Sequence, residues 1–187
     1  MRIVVGITGA SGAIYGVRLL EELRGRAGVE TFLVVSRTAA RIAEQETGRT
    51  LGDLRALADY WYDNDDLAAP IASGSFPVDA MVVAPCSVKT LSALANSYSD
   101  TLIARAGDVA LKERRRLILL VRETPLHAGH LRLMLALAEL GALILPPIPA
   151  FYGSPRTIDD LVNHTIGRVL DHLGLEHSLY RPWTGRP

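Results

Sequence analysis

Five short apolar runs punctuate the chain, and between them apolar residues mostly recur every three or four positions. The runs are Ile3-Val4-Val5-Gly6-Ile7, Thr31-Phe32-Leu33-Val34-Val35, Ala80-Met81-Val82-Val83-Ala84, Leu117-Ile118-Leu119-Leu120-Val121 and a shorter one over 142–145. Runs of this length, bounded by glycine, proline or polar residues, predict strands. After the first, Ala13, Gly16, Val17, Leu20 and Leu23 share one helical face, and Gly25 and Gly28 mark the helix end. A second helix is predicted over 38–47, leading into Gly48. Residues 51–76 are less regular, with a possible short helix at 51–57. The third run stops at Pro85 and opens a helix whose face carries Leu91, Leu94, Ala95 and Tyr98. Further helices are predicted up to about Glu113, over 128–140 and over 157–173.

The strand runs are continuously apolar, not alternating, which is the pattern of a parallel sheet covered by helices on both faces. The expected fold is therefore α/β, a Rossmann-like doubly wound parallel sheet in a single domain over 1–175, followed by a C-terminal tail at 176–187. Ligands of such sheets collect beyond the carboxyl ends of the strands. Thr8 to Gly12, Ser36, Pro85 to Thr90, Arg122-Glu123-Thr124 and the proline-rich turn leading to Tyr152 are all expected there, on one edge. The helix at 128–140 is apolar on two sides: Leu131, Met134, Leu135 and Ala138 form one, Leu133, Leu137 and Leu140 the other. It is either a fully buried central helix or one that offers its second face to a neighbouring subunit.

Composition narrows the class. At 187 residues, 49% apolar, the chain can bury a substantial core, and no linker-like stretch divides it. Twenty basic and twenty acidic residues cancel and are interspersed, so nothing in the charge favours nucleic acid. No charged leader with an apolar core is visible, and no apolar run reaches the length of a membrane span, so a soluble, cytoplasmic protein is expected. The lone Cys86 fits a reducing compartment.

The first strand runs directly into Thr8-Gly9-Ala10-Ser11-Gly12-Ala13. Two glycines let the backbone turn sharply, and helix N–H groups with a positive dipole end favour an anion there. A plain tight turn is the alternative. The spacing is not Gly-x-Gly-x-x-Gly, and the second strand ends on Ser36 where a dinucleotide site places an acid. No Walker lysine follows the glycines. Ser87-Val88-Lys89-Thr90 repeats the logic of hydroxyls at a helix start, as ligand site or simple N-cap. Arg122 and Glu123 emerge together at a strand end, so one can meet a ligand while the other braces a neighbour. Arg105, Lys112 and the 114–116 arginines read as a solvated helix face and its exit. Arg168 lies about 120° from the centre of its helix's apolar face, which also assigns it to solvent. His127 and His130 lack a third partner at metal-binding spacing, so no metal is expected and His127 reads as a polar neighbour of a helix cap. Cys86 has no base beside it and reads as a small buried side chain.

Taken together, Thr8 to Ala13, Pro85 to Ser92, Arg105 to Arg115, Arg122 to Leu126 and Pro149-Ala150-Phe151-Tyr152 resemble the UbiX-type flavin prenyltransferases over nearly the whole chain, from Ile3 to about Leu173. Gly107, where a second alanine is expected, and Gly48, where the family often has Asp, depart from that pattern. The resemblance implies transfer of a dimethylallyl group from dimethylallyl phosphate to N5 and C6 of reduced FMN, without a metal. Phosphate is released, and the prenylated FMN serves UbiD-type decarboxylases. It implies that Gly9, Ala10, Ser11, Ser36, Ser87, Val88, Lys89, Thr90 and Arg122 hold FMN. Tyr152 and Arg168 would hold the dimethylallyl phosphate, with Arg105, Lys112 and Glu46 completing the phosphate site, partly across a subunit boundary of a dodecamer. Glu123 is the candidate for proton transfer, with Ser11 relaying or positioning near N5, and Trp183 a possible lid. The alternatives are a flavin-dependent decarboxylase of cysteine-containing peptides or phosphopantothenoylcysteine, and a non-catalytic FMN-binding subunit.

Overall fold

The computed structural model describes residues 1–185. Its elements run β1 (Arg2–Ile7), α1 (Ala13–Leu23), β2 (Glu30–Val35), α2 (Arg37–Thr47), α3 (Leu51–Arg55), β3 (Tyr60–Asp63), a 3-10 turn (Pro70–Ala72), β4 (Ala80–Cys86), α4 (Val88–Ala95), α5 (Leu102–Lys112), β5 (Arg116–Val121), α6 (Ala128–Glu139), β6 (Leu143–Ile144) and α7 (Ile158–Leu173). The strands form one parallel sheet in the order β3-β2-β1-β4-β5-β6. This is the doubly wound α/β arrangement. Its order reverses between β1 and β4, so the carboxyl ends of those two strands open the crevice. The chain forms two compact units, Met1–Pro146 with the sheet and α1 to α6, and Pro147–Pro187 with α7.

Successive strand residues face opposite sides, and both sides are dry. Val4, Phe32, Val34, Met81, Val83, Leu117 and Leu119 share one buried cluster with Leu94 of α4, Ile103 of α5 and Leu137 of α6. Ile3, Val5, Ile7, Leu33 and Val82 are equally buried, as are Leu19, Leu20 and Leu23 of α1. Gly16 sets the approach of α1: a Cβ there would lie 2.4 Å from the carbonyl oxygen of Ala84 and 2.8 Å from Ile7. Gly107 does the same on the other layer, where a Cβ would meet Leu94 at 2.4 Å. The departure from the family pattern is thus filled by a neighbour's side chain.

Four expectations change. Pro85 does not stop its strand: β4 continues to Cys86 through a register shift after Val83, because the Pro85 carbonyl still accepts the Thr8 N–H at 3.2 Å. The strand β3 was not legible, since its Tyr60 and Trp61 sit exposed on the sheet edge and break the apolar run. Tyr98 does not extend the α4 face; α4 ends at Ala95, Ser97 takes a positive φ of 51°, and Tyr98 is exposed. In α6 the inward residues are Leu133, Met134 and Leu137, whereas Leu131, Leu135 and Leu140 are more than half exposed. Within one chain α6 is therefore not a fully buried helix.

Candidate functional site

A cleft of about 630 Å³ opens beyond the strand ends of the first unit. Its floor comes from Gly9, Ala10 and Ser11 after β1, Ser36, Arg37 and Thr38 after β2, Ser87 to Thr90 after β4, and Arg122 and Glu123 after β5. All nine residues nominated for FMN line it, and so does Glu123.

Local chemistry explains why these loops end in open donors. Ser36 caps α2 by accepting the Ala39 N–H, and Ser87 caps α4 by accepting the Thr90 N–H. Each cap satisfies only one orphan donor. The first N–H groups of both helices, at Arg37, Thr38, Val88 and Lys89, have no intrahelical acceptor, and the helix dipoles favour an anion before them. Thr8, which is buried, ties the two central loops together. Its hydroxyl donates to the Pro85 carbonyl at 2.8 Å and accepts the Ser87 N–H at 2.8 Å.

The first junction behaves differently from its sequence reading. The N–H groups of Gly12 and Ala13 are taken by the Glu46 carboxylate at 2.8 and 3.0 Å. The anion at the start of α1 is therefore part of the chain itself. Glu46 does not line the cleft. Burial pushes its pKa upward, yet the Ser11 hydroxyl, these two N–H groups and the Arg122 charge hold it below the ordinary carboxylate value. The cleft residue Ser11 is thus one of the groups that favour the charged form of Glu46. Glu123 is exposed at the rim and accepts the N–H of Thr124 at 3.0 Å.

Asn64, Thr101 and Ile103 line the cleft without having been nominated. The Asn64 carbonyls accept the N–H groups of Leu102 at 2.7 Å and Ile103 at 3.1 Å, so Asn64 and the capping Thr101 together fix the start of α5. Asn64 follows β3, and missing that strand concealed it.

Arg105 and Lys112 do not line the cleft. Arg105 donates to the Ala72 carbonyl at 3.0 Å and to Asp108 at 3.1 Å, and Lys112 pairs with Glu113. Because α5 starts at the cleft and runs away from it, Lys112 lies about 15 Å further along the helix axis.

The second unit carries its own depression of about 370 Å³, lined by Tyr152, His164, Arg168, Tyr180, Pro182 and Trp183. The Tyr152 hydroxyl and His164 Nε2 are 3.0 Å apart, and Trp183 stands edge-on to Tyr152 with ring centroids at 5.7 Å. Burial, and then the Arg168 charge, depress the His164 pKa, favouring the neutral ring. Arg168 is half-exposed, as its helical position predicts, yet it lines this depression with Tyr152. The proposed tail ends in residues 186–187, outside the described residues.

His127 caps α6 through Nδ1 and stacks on His130 at 3.6 Å between centroids. Among the described residues, no group of three His, Cys, Asp or Glu side chains is placed to hold a metal. Cys86 is buried, which pushes its thiol pKa up to about 12 and leaves it inert as a nucleophile. No described helix is long and apolar enough to cross a membrane.

Helix-start donors for a phosphate, hydroxyls, and apolar walls at Val88 and Ile103 in a cleft of this size suit a flavin mononucleotide. This fold and cleft define a flavoprotein, and a family model described as Flavoprotein matches residues 1–170. The chain is 56% identical to the flavin prenyltransferase UbiX of Thauera aromatica, covering 99% of this chain and 95% of that protein. Two crystal structures superpose with a TM-score of 0.97. One is a dodecameric FMN-dependent UbiX-like decarboxylase from Escherichia coli O157:H7, 50% identical over 99% of this chain and all of that one. The other is AnUbiX (PadA1) in complex with FMN and dimethylallyl pyrophosphate, 48% identical over 100% of this chain and 98% of that one. The chain belongs to the UbiX-type flavin prenyltransferases.

Proposed function

We propose that this protein transfers a dimethylallyl group from dimethylallyl phosphate to N5 and C6 of reduced FMN and releases phosphate. The observation that carries the reading is the gathering of Gly9, Ala10, Ser11, Ser36, Ser87, Val88, Lys89, Thr90 and Arg122 around one cleft, in a chain 56% identical to a flavin prenyltransferase.

The reaction breaks an allylic carbon–oxygen bond, whose electron pair leaves with phosphate, and consumes the allyl double bond. The N5–H and C6–H bonds are replaced by bonds to the two allyl ends, and of the two protons set free one is taken up by the middle allyl carbon and one by the released phosphate. Reduced flavin supplies the electron-rich N5 and C6 and a π-face for the developing allyl charge. This chain's residues do the rest. The starts of α2 and α4 hold the flavin phosphate. Tyr152 and Arg168 hold the phosphate of the donor, with Lys112, Arg105 and Glu46 completing that site. Placed cations stabilise a leaving dianion without a metal. Because Lys112 and Arg105 do not line the cleft of their own chain, this reading takes them from a neighbouring copy in a dodecamer. Leu131 and Leu135, exposed one turn apart on α6, support such an assembly. Glu123 accepts the proton lost on ring closure, and Ser11 positions or relays near N5.

In this reading residues 1–175 are the catalytic domain and 176–187 a tail that brings Trp183 over the substrate. The protein works in the cytoplasm and passes its product to a UbiD-type decarboxylase. Anaerobic incubation with reduced FMN and dimethylallyl phosphate is expected to yield a flavin heavier by one C5H8 unit. An unchanged flavin mass under verified turnover conditions would exclude the transferase, leaving a flavin-dependent decarboxylase or a non-catalytic FMN-binding subunit.

A further inference from the structure

Asp171 collects three donors that no role above uses. One turn beyond Arg168 on α7, its Oδ2 accepts from Arg168 Nη1 at 2.9 Å and from the Tyr180 hydroxyl at 2.5 Å. Its Oδ1 faces His177 Nε2 at 3.0 Å. Tyr180 closes the triangle, because its oxygen also accepts from Arg168 Nη1 at 3.3 Å.

An isolated surface ion pair is worth little, since two long side chains lose rotamer freedom to hold it in a high dielectric. This pair is held from more than one direction. The guanidinium meets two oxygens, and the histidine behind the carboxylate is only 7% exposed. The helix backbone makes room for the arrangement: a Cβ at Gly167 would lie 2.5 Å from the Tyr180 ring and 2.8 Å from the His177 ring. Both contacts of Arg168 use Nη1, so Nε and Nη2 keep their donors for a ligand, in the fork geometry that suits phosphate.

We propose that Asp171 is a positioning residue for the donor phosphate, acting with Tyr180 and His177 to hold the Arg168 guanidinium at the depression it shares with Tyr152. This rests on the reading of Arg168 as a phosphate ligand. Asp171 touches neither substrate; it determines where the cation stands. The gain is pre-organisation, because an arginine already held in place loses less freedom when the phosphate arrives.

The test uses the full chain loaded with FMN, titrated calorimetrically with dimethylallyl phosphate and assayed anaerobically. Asp171→Asn, which keeps the size and removes the charge, is expected to raise the Kd and KM for dimethylallyl phosphate about tenfold, with FMN affinity and kcat little changed. Tyr180→Phe removes one hydroxyl and is expected to raise them about threefold. Adding Asp171→Asn to Arg168→Ala should cost nothing beyond Arg168→Ala alone, since the two act as one unit. If Arg168→Ala leaves phosphate binding intact, the underlying reading of Arg168 fails. If Arg168→Ala weakens binding while Asp171→Asn and Tyr180→Phe do not, or if the double variant is additive, the positioning role fails and the phosphate reading stands. Should Asp171→Asn not give a native circular dichroism spectrum, Tyr180→Phe decides by the same criterion.

Discussion

The cleft of the first unit and the depression of the second are built from different materials. The cleft is mostly main chain: helix starts after β2 and β4, a glycine turn after β1, and hydroxyls that cap the helices while facing the opening. The depression is a network of side chains, in which Tyr152 meets His164, and Arg168, Tyr180 and His177 converge on Asp171. A backbone site is as rigid as the sheet that carries it and tolerates loss of a single hydroxyl. A side-chain site depends on every partner, because each fixes the next. The first suits a cofactor-sized ligand that must be held, the second a small charged group met with a definite orientation.

Substitutions can break this contrast. The largest effect is expected where a cleft side chain performs chemistry instead of binding. Glu123→Gln should retain FMN while slowing product formation by about 10²-fold or more, measured in single-turnover flavin spectra. Full activity in that variant would remove Glu123 from the reaction. Next comes an insult to the backbone scaffold. Gly16→Ala drives a methyl group against the Ala84 carbonyl and should lower stability by about 2 kcal/mol in urea denaturation, loosening the loop after β4. An unchanged midpoint would show that α1 can lift off the sheet without cost.

A smaller change is expected from Ser87→Ala. Loss of the α4 cap should cost about 1 kcal/mol of stability, and FMN affinity should fall no more than about fivefold because the helix-start N–H groups remain. A collapse of FMN binding would mean that this cleft too is made by side chains. The smallest effect concerns Glu46 and pH. Its pKa is depressed in the folded state, so its charge stabilises the fold above the ordinary carboxylate value of 4.5, and that contribution disappears as pH falls through the lower folded-state value. The stability gap between the wild-type chain and Glu46→Gln should therefore shrink on acidification below about pH 4.5. A gap that widens there would show that Glu46 does not hold its charge against the start of α1.

The same contrast explains what could be read from the chain. Ser87 was legible as a helix start because capping is local, whereas Ser36 was legible only as the residue that ends the second strand. The β3 strand was not legible, because an edge strand with exposed Tyr60 and Trp61 carries no apolar run, and Asn64 was lost with it. Pro85 misled for a related reason. A proline lacks the N–H that a central strand uses, but its carbonyl is still available, and Thr8 uses it twice. Arg168 was legible as half-exposed but not as a member of a network, since Tyr180 and His177 reach it from beyond the end of α7.

Alone, the sequence determined the parallel sheet except its β3 edge, the loops at the ends of β1, β2, β4 and β5, and the cleft residues those loops carry at Gly9 to Ser11, Ser36, Ser87 to Thr90, Arg122 and Glu123, because apolar periodicity and helix capping act over a few residues. Only the tertiary structure decided that the anion at the start of α1 is Glu46, which comes from the far end of α2. It also placed Lys112 at the remote end of α5 and made Asp171 the centre of three contacts. Contacts between distant positions depend on how elements pack, and no local pattern encodes their distances.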